Sequence, residues 1–208
     1  MSQREVGQLT PPVGEGDHVE GPATAAVTLV EYGDYECPYC RAAMPIVIEL
    51  QELLGEQLRY VYRHFPVVNL HPHAQHAAEA AEAAAAQGKF WDMHAHLFEH
   101  QQALEDEDLV RYASDLGLDA ERFRLELAGH VYADRVREDF ASAIGSGVEG
   151  TPTFFLDGVR YDEPVGLQQL LTAIRRTHPE VPDDGFDQVQ QRRIPRVVGQ
   201  RTRFRAGG

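Results

Sequence analysis

Cys37 and Cys40 are the only cysteines of the 208-residue chain, and they stand together in the stretch Cys-Pro-Tyr-Cys. Thiol–disulfide exchange requires a thiolate that attacks, a second thiol that resolves the mixed disulfide, and access to a partner. A pair of this spacing supplies both thiols when the first lies at the N-terminus of a helix, where the helix dipole and free N–H groups stabilise a thiolate. We therefore expect Cys37 to be an exposed nucleophile and Cys40 to be the resolving thiol.

Three other roles for the pair have to be weighed. A crosslink between Cys37 and Cys40 would close so short a loop that it would stabilise the fold little, so a structural disulfide is a poor explanation. Two thiols cannot fill a four-ligand zinc site by themselves, although histidine or a second subunit could complete one. Two core thiols without chemistry are the third alternative.

The elements around the pair follow from apolar patterning. Residues 26–32 are β-branched and apolar and predict a buried strand, and Pro38 suits the first position of the helix that follows. A second strand is predicted at 58–67, a series of helices through the middle of the chain, and a hairpin around Asp157-Gly158. A last helix follows Pro164.

A second motif is Gly150-Thr151-Pro152-Thr153. A proline that opens a strand cannot serve a central ladder at that point, and an X–Pro bond is where a cis peptide is accessible. Such a bond facing the cysteines would leave the backbone of Thr151 free to pair with an extended peptide. The alternative is an ordinary turn at the entry to a strand.

Three segments together resemble one family. Thr28-Leu-Val-Glu-Tyr-Gly-Asp-Tyr-Glu-Cys-Pro-Tyr-Cys40 is similar to the active-site region of DsbA-like thioredoxin-fold proteins. Gln87-Gly-Lys-Phe-Trp-Asp-Met-His94 resembles their inserted helical region, and Gly150-Thr-Pro-Thr-Phe-Phe-Leu-Asp-Gly158 resembles their cis-proline strand. The resemblance covers about residues 18–177, with the motifs in the same order.

The resemblance implies an α/β fold, the thioredoxin fold, with an inserted helical subdomain at about 69–148. It also implies a dithiol–disulfide oxidoreductase without a bound cofactor or metal. By position, Cys37 corresponds to the nucleophile, Cys40 to the resolving cysteine, Pro152 to the cis-proline and Thr151 to the residue before it. We expect Thr151 and Pro152 to hold the backbone of a protein or peptide substrate.

Glu31 lies six residues before Cys37, where the family commonly has a buried acid beneath the disulfide. A carboxyl buried there would have a raised pKa and could exchange a proton with Cys40 near neutrality. The alternative is a glutamate at a strand edge that faces water.

The residues between and beside the cysteines set an expectation for the direction of electron flow. Pro38 and Tyr39, which we also expect to contact substrate, cannot provide the charge of the histidine that DsbA oxidants usually have there. Asp34 and Glu36 would raise the pKa of Cys37 by like-charge repulsion. We therefore expect a potential more reducing than that of the periplasmic oxidants, and an electron-donating reductase as partner.

Composition excludes several classes of protein. The net charge of −14 argues against binding of the body of the protein to nucleic acid or anionic membranes. No apolar run is long enough to span a membrane, and residues 1–21 lack the apolar core of a signal peptide, so the cytoplasm is the expected compartment.

His96 and His100 have a spacing that zinc sites use, but we expect both to be surface residues. We also expect Glu79 and Glu82 to lie on a solvated face.

The chain is thus predicted to have a flexible N-terminal arm (1–22), a thioredoxin-like domain (23–177) and an Arg-rich tail (178–208). The leading function is thiol–disulfide exchange on protein disulfides or dithiols. A rival within the superfamily, an isomerase of small thiol conjugates, is disfavoured by the intact cysteine pair. A rival from another class is a binding or chaperone module whose cysteines are non-catalytic or hold a zinc ion.

Overall fold

The computed structural model describes residues 7–181. Over this range the chain forms one mixed sheet with helices on both of its faces. The strands are β1 His18–Glu20, β2 Val27–Gly33, β3 Leu58–His64, β4 Thr153–Leu156 and β5 Val159–Tyr161. The helices are α1 Pro38–Leu54, α2 Ala74–Ala85, α3 Phe90–Glu99, α4 Asp106–Asp115, α5 Ala120–Ala128, α6 Ala133–Gly145 and α7 Leu167–Thr177.

The strand that leads to the cysteines is central in the sheet. The order is β1-β3-β2-β4-β5, with β2 parallel to β3 and antiparallel to β4. Because both faces of β2 are covered, its residues are apolar in a nearly continuous run rather than alternating with polar ones. The cysteine pair therefore follows shortly after the central strand of the sheet.

Helices α2 to α6 are inserted between β3 and β4 and confirm the predicted thioredoxin fold with a helical insertion. Alanines form the buried face of α2, and their small side chains allow close approach of its neighbours α3, α5 and α6. One core joins α1, α7 and helices α2 to α5 of the insertion to one face of the sheet, and a smaller core lies on the opposite face beside α6.

The prediction of a flexible arm at 1–22 is wrong for residues 7–22. His18–Glu20 pairs with β3 as an edge strand, and Leu9 is buried in the smaller core. The buried guanidinium of Arg63 donates to Asp17 at 2.7 and 3.0 Å, and this ion pair holds the segment against β3. Residues 1–6 lie outside the described range.

The predicted tail begins with residues that continue the fold. Val181, at the end of the described range, is buried against the main core. The arginines at 192–208, on which the prediction of an Arg-rich tail depends, lie outside the described residues. Between residues 7 and 181, none of the helices combines the length and the apolar character needed to cross a lipid bilayer.

Candidate active site

Cys37 is the N-cap residue of α1, as the motif predicts. Strand β2 ends at Gly33, a three-residue loop follows, and Pro38 opens the helix. The carbonyl of Cys37 accepts the first helical hydrogen bond, from the amide of Arg41 at 3.2 Å. The sulfur is therefore near the positive end of a 17-residue helix.

Hydrogen bonds stabilise the thiolate of Cys37. Those from Cys40 are the main reason why its pKa is lowered from 9.0 to about 5, and contacts with Thr151 and the amide of Tyr39 act in the same direction. Burial acts in the opposite direction but does not prevail. The Cys37 thiol also donates to the carbonyl of Thr151 at 3.4 Å.

Two expectations about Cys37 are wrong. The residue is only 3% exposed, because the loop of Thr151 lies over its sulfur. Its pKa is lowered rather than raised, since the carboxylates of Asp34 and Glu36 are turned to other partners. Asp34 accepts from the amides of Glu36 and Val67 at 2.8 Å each, and Glu36 accepts from the amide of His73 at 2.7 Å.

Cys40 lies one turn inside α1 and is buried. Burial raises the pKa of its thiol well above the usual value, and the neighbouring Cys37 and Glu31 raise it further. The amide of Asp34 faces its sulfur at 3.5 Å. Both cysteines are free thiols in this structure, so the pair combines a readily ionised sulfur with one that stays protonated.

Glu31 is buried in the centre of β2, so the alternative of a water-facing glutamate is wrong. Burial raises its pKa to about 7, partly offset by the hydroxyl of Tyr60, which donates to its carboxylate at 2.7 Å. Glu31 and Cys40 line the same cavity of about 190 Å³, which extends towards Gln51 at the surface. Its predicted role, proton exchange with Cys40, fits this position and stays a prediction.

The structure brings the second motif to the cysteines. The bond between Thr151 and Pro152 is cis, as the sequence suggested, and the preceding carbonyl faces Cys37. Pro38 and Tyr39 are exposed beside it, with Tyr39 at 73%. All four residues are therefore accessible around the nucleophile, or half-buried beside it, and their contact with substrate stays a prediction.

Sequence reasoning missed Gln101, which approaches the same loop from the insertion. Its buried side-chain amide donates to the carbonyls of Tyr35 and Cys37, both at 2.8 Å. His71 was also missed as a neighbour of the site; its Nδ1 lies 2.8 Å from the carboxylate of Asp34. No spacing in the sequence marks either residue, because their partners are 37 to 66 positions away.

Two groups within residues 7–181 place three potential metal ligands together, and neither contains a cysteine. The first consists of His18, His64 and Glu82, so the prediction of a solvated Glu82 is wrong. Both histidines lie within 3.0 Å of one carboxylate oxygen, and the guanidinium of Arg135 approaches it at 3.9 Å. Because this carboxylate already has two imidazole partners and a guanidinium nearby, we interpret the group as a buried hydrogen-bonded cluster.

The second group, His96, Glu99 and His100, lies at the surface of α3. Its two histidine rings stack at 4.3 Å, and Nδ1 of His100 is hydrogen-bonded to the carbonyl of His96.

The prediction of a solvated Glu79 is also wrong, because this residue is buried and its carboxylate contacts Gln75 and His130.

Comparison with known proteins supports the family suggested by the motifs. The family model described as Thioredoxin matches residues 14–176. A thioredoxin-like oxidoreductase from Silicibacter pomeroyi is 32% identical, with a TM-score of 0.68 over 80% of this chain and 94% of that one. BdbD from Bacillus subtilis has a TM-score of 0.74 at 23% identity, over 82% and 96% of the two chains.

A longer protein also contains a similar segment. The Na(+)/H(+) antiporter NhaA 3 of Salinispora tropica is 48% identical over 168 residues, which are 80% of this chain and 25% of the antiporter. The chain thus spans about a quarter of that relative. Together with the match over residues 14–176, these findings assign the chain to the thioredoxin family, with the fold of its DsbA-like members.

Proposed function

We propose that the chain is a thiol–disulfide oxidoreductase that oxidises dithiols of protein or peptide substrates. The observation that carries the proposal is the asymmetry of the pair: the pKa of Cys37 is lowered to about 5, whereas that of Cys40 is raised. A thiol of low pKa is a good leaving group in thiol–disulfide exchange. The pair is therefore suited to accept two electrons and to hold them as a Cys37 thiolate and a protonated Cys40.

The reaction starts from the Cys37–Cys40 disulfide. A substrate thiolate attacks Sγ of Cys37, the S–S bond breaks, and its electron pair passes to Sγ of Cys40, which takes up a proton. A second substrate thiolate then attacks the substrate sulfur of the mixed disulfide, and Cys37 leaves as a thiolate. Two electrons move to the pair, and the substrate departs with a disulfide.

Glu31 supplies the proton to Cys40 in this scheme. Its pKa of about 7 lets the carboxyl be protonated before the disulfide opens and ionised afterwards, which is the property required of a general acid near neutrality. Thr151 and Pro152 hold the backbone of the substrate beside Cys37, while Pro38 and Tyr39 contact its side chains.

The oxidising direction replaces the reducing one expected from the sequence. That expectation depended on repulsion of the thiolate by Asp34 and Glu36, whose carboxylates are engaged by amides and histidines. A thiol pKa of about 5 lies between the values of about 7 for thioredoxin and about 3.5 for DsbA. We expect an intermediate potential, above the roughly −270 mV of thioredoxin.

The deciding experiment is the reduction potential of the pair in glutathione buffers, read by the mass shift of a thiol label. A reversible two-electron couple more positive than about −270 mV supports the proposal. A couple at or below that value overturns the oxidising direction. The absence of any reversible couple would overturn the oxidoreductase and favour the rival, a binding or chaperone module whose cysteines are non-catalytic or hold zinc.

The compartment belongs to the same proposal, because disulfides persist only where the environment is oxidising. Trapping the pair with an acid quench and a thiol label in the native host measures its state in the cell. A disulfide form supports an oxidant. A dithiol form would instead support the cytoplasm and an electron-donating reductase as partner.

Transport is the activity named for the antiporter relatives. We do not propose it for this chain, because the chain spans only a quarter of their length.

A further inference from the structure

We propose that Gln101 is a positioning residue through which the helical insertion sets the reactivity of Cys37. The inference rests on the proposed function and adds a residue to it. Gln101 lies in the turn between α3 and α4, which belongs to the helical insertion and to neither the cysteine motif nor the cis-proline motif. Its side chain reaches across to the loop that joins β2 to the cysteine pair.

The contact uses the full donor capacity of one amide group. Nε2 of Gln101 donates to the carbonyls of Tyr35 and Cys37, each at 2.8 Å, and the residue is 5% exposed. A primary amide has two N–H groups in a fixed plane, so two bonds of this kind fix the relative orientation of both carbonyls. No exposed side chain could exert the same constraint, because water would compete for the donors.

The two carbonyls enclose the backbone that aims the nucleophile. Cys37 is the N-cap, and its torsions place Sγ between Thr151 and the amides of the first helical turn. Hydrogen bonds to a thiolate lower its pKa only while donor and sulfur keep their geometry. Gln101 touches neither sulfur, so it acts through the backbone of Cys37 and is not itself a catalytic residue.

Hydrogen bonds from other residues hold the start of this loop, at Asp34 and at the side chain of Tyr35. Gln101 holds its end, at Cys37. The carboxylate of Asp34 accepts from the amides of Glu36 and Val67 and contacts His71. The side chain of Tyr35 contacts His94 through its hydroxyl at 3.1 Å. The carbonyl of Cys37 accepts from the amide of Arg41 within α1, and the amide of Gln101 is the side-chain group that reaches it from the insertion.

The test compares Gln101→Met with Gln102→Met in the full chain. Methionine keeps the length of glutamine but has no N–H donor, and Gln102 is the exposed neighbour in the same turn. The readouts are the absorbance titration of the Cys37 thiolate near 240 nm and the equilibrium of the pair with glutathione. We expect Gln101→Met to raise the pKa of Cys37 by about one unit and to shift the glutathione equilibrium about tenfold towards the disulfide, or about 30 mV more reducing. Gln102→Met should change neither.

A change in thermal stability without a change in thiolate titration or glutathione equilibrium would overturn the inference, because a purely structural side chain would give that result. If Gln101→Met does not fold, Gln101→Leu removes the same two donors without adding a charge, and it should also raise the pKa of Cys37. Failure of the proposed function gives a different result, because the wild-type pair would then show no reversible redox couple with glutathione. The thiolate titration would still show whether Gln101 affects the pKa of Cys37.

Discussion

The hydroxyl of Tyr60 on β3 donates a 2.7 Å hydrogen bond to the carboxylate of Glu31 on the adjacent strand β2. Both residues are buried. This bond lowers the pKa of Glu31, yet burial still raises it to about 7. The sheet beneath the cysteine pair thus holds a buried carboxyl group that can gain or lose a proton near neutral pH.

The substitution Glu31→Gln should stabilise the reduced protein at pH 8 and have little effect at pH 4. A carboxyl with a pKa raised from 4.5 to about 7 costs folding stability as the pH rises through that interval, and the cost is complete above pH 7. At 1.36 kcal/mol per unit, the gain at pH 8 is about 3 kcal/mol.

Denaturant unfolding at the two pH values measures this gain, and Glu52→Gln, an exposed change on α1, is the matched control. An equal effect of Glu31→Gln at both pH values would contradict a raised pKa. The same variant should also slow substrate oxidation, because Cys40 then lacks its proton donor.

The substitution Cys40→Ala should raise the pKa of Cys37. The hydrogen bonds from Cys40 are the largest cause of the lowered value of about 5, whereas the contacts with Thr151 and the backbone amides would remain. Titration of the thiolate absorbance should therefore move its midpoint upwards, although not to the usual 9.0. An unchanged midpoint would mean that the helix terminus alone stabilises the thiolate.

The substitution Glu82→Gln should destabilise the fold by about 1–3 kcal/mol, the range for weakening hydrogen bonds to a buried charged group. The carboxylate of Glu82 joins His18 of β1 to His64 of β3, and these partners hold its pKa well below the usual range. An acid of depressed pKa stabilises the fold above its unfolded pKa of about 4.5 and loses this contribution as the pH falls.

Unfolding by denaturant at pH 7 measures the loss, with the exposed Glu107→Gln as control. A loss below 1 kcal/mol, comparable with a surface ion pair, would argue that the cluster is solvated.

The substitution Gly33→Ala should destabilise the protein by roughly 1–3 kcal/mol, as overpacking of a core does. A Cβ atom on Gly33 would lie 2.4 Å from the ring of Tyr62, which is fully buried and surrounded by other aromatic rings. Thermal unfolding should register the change, and Gly14→Ala, which has open space around its Cβ position, should be neutral. A neutral Gly33→Ala would show that Tyr62 can move.

Local signals in the sequence predicted most of the fold. The hairpin of β4 and β5 was predicted around its Asp157-Gly158 turn, which is where the two observed strands are joined. Aspartate is a preferred residue at a helix N-cap, and the carboxylate of Asp119, just before α5, accepts from the amide of Arg122 at 3.0 Å. Such features depend on neighbours within a few residues, so a sequence carries them directly.

Features that depend on distant partners were missed. Glu82 looks like a surface residue of an Ala- and Glu-rich helix, and only the approach of His18, 64 positions earlier, makes it a buried hydrogen-bond partner. Asp34 and Glu36 were correctly located close to Cys37, but they were expected to repel its thiolate. Their carboxylates instead accept hydrogen bonds from backbone amides. Gln101 gave no signal, because its partners are backbone carbonyls, which every residue has.

The position of Thr151 has a consequence for the order in which the chain acquires its chemistry. Thr151 faces Cys37 across 114 positions of sequence, with the whole helical insertion between them. Contacts of such separation form late in folding, because a long loop must close first. During synthesis both cysteines would emerge well before the strand that covers them, and Gln101 would emerge between. A nascent chain ending before residue 148 would therefore lack the Thr151 contact of Cys37, and the complete site would arise only when the last strands join the sheet.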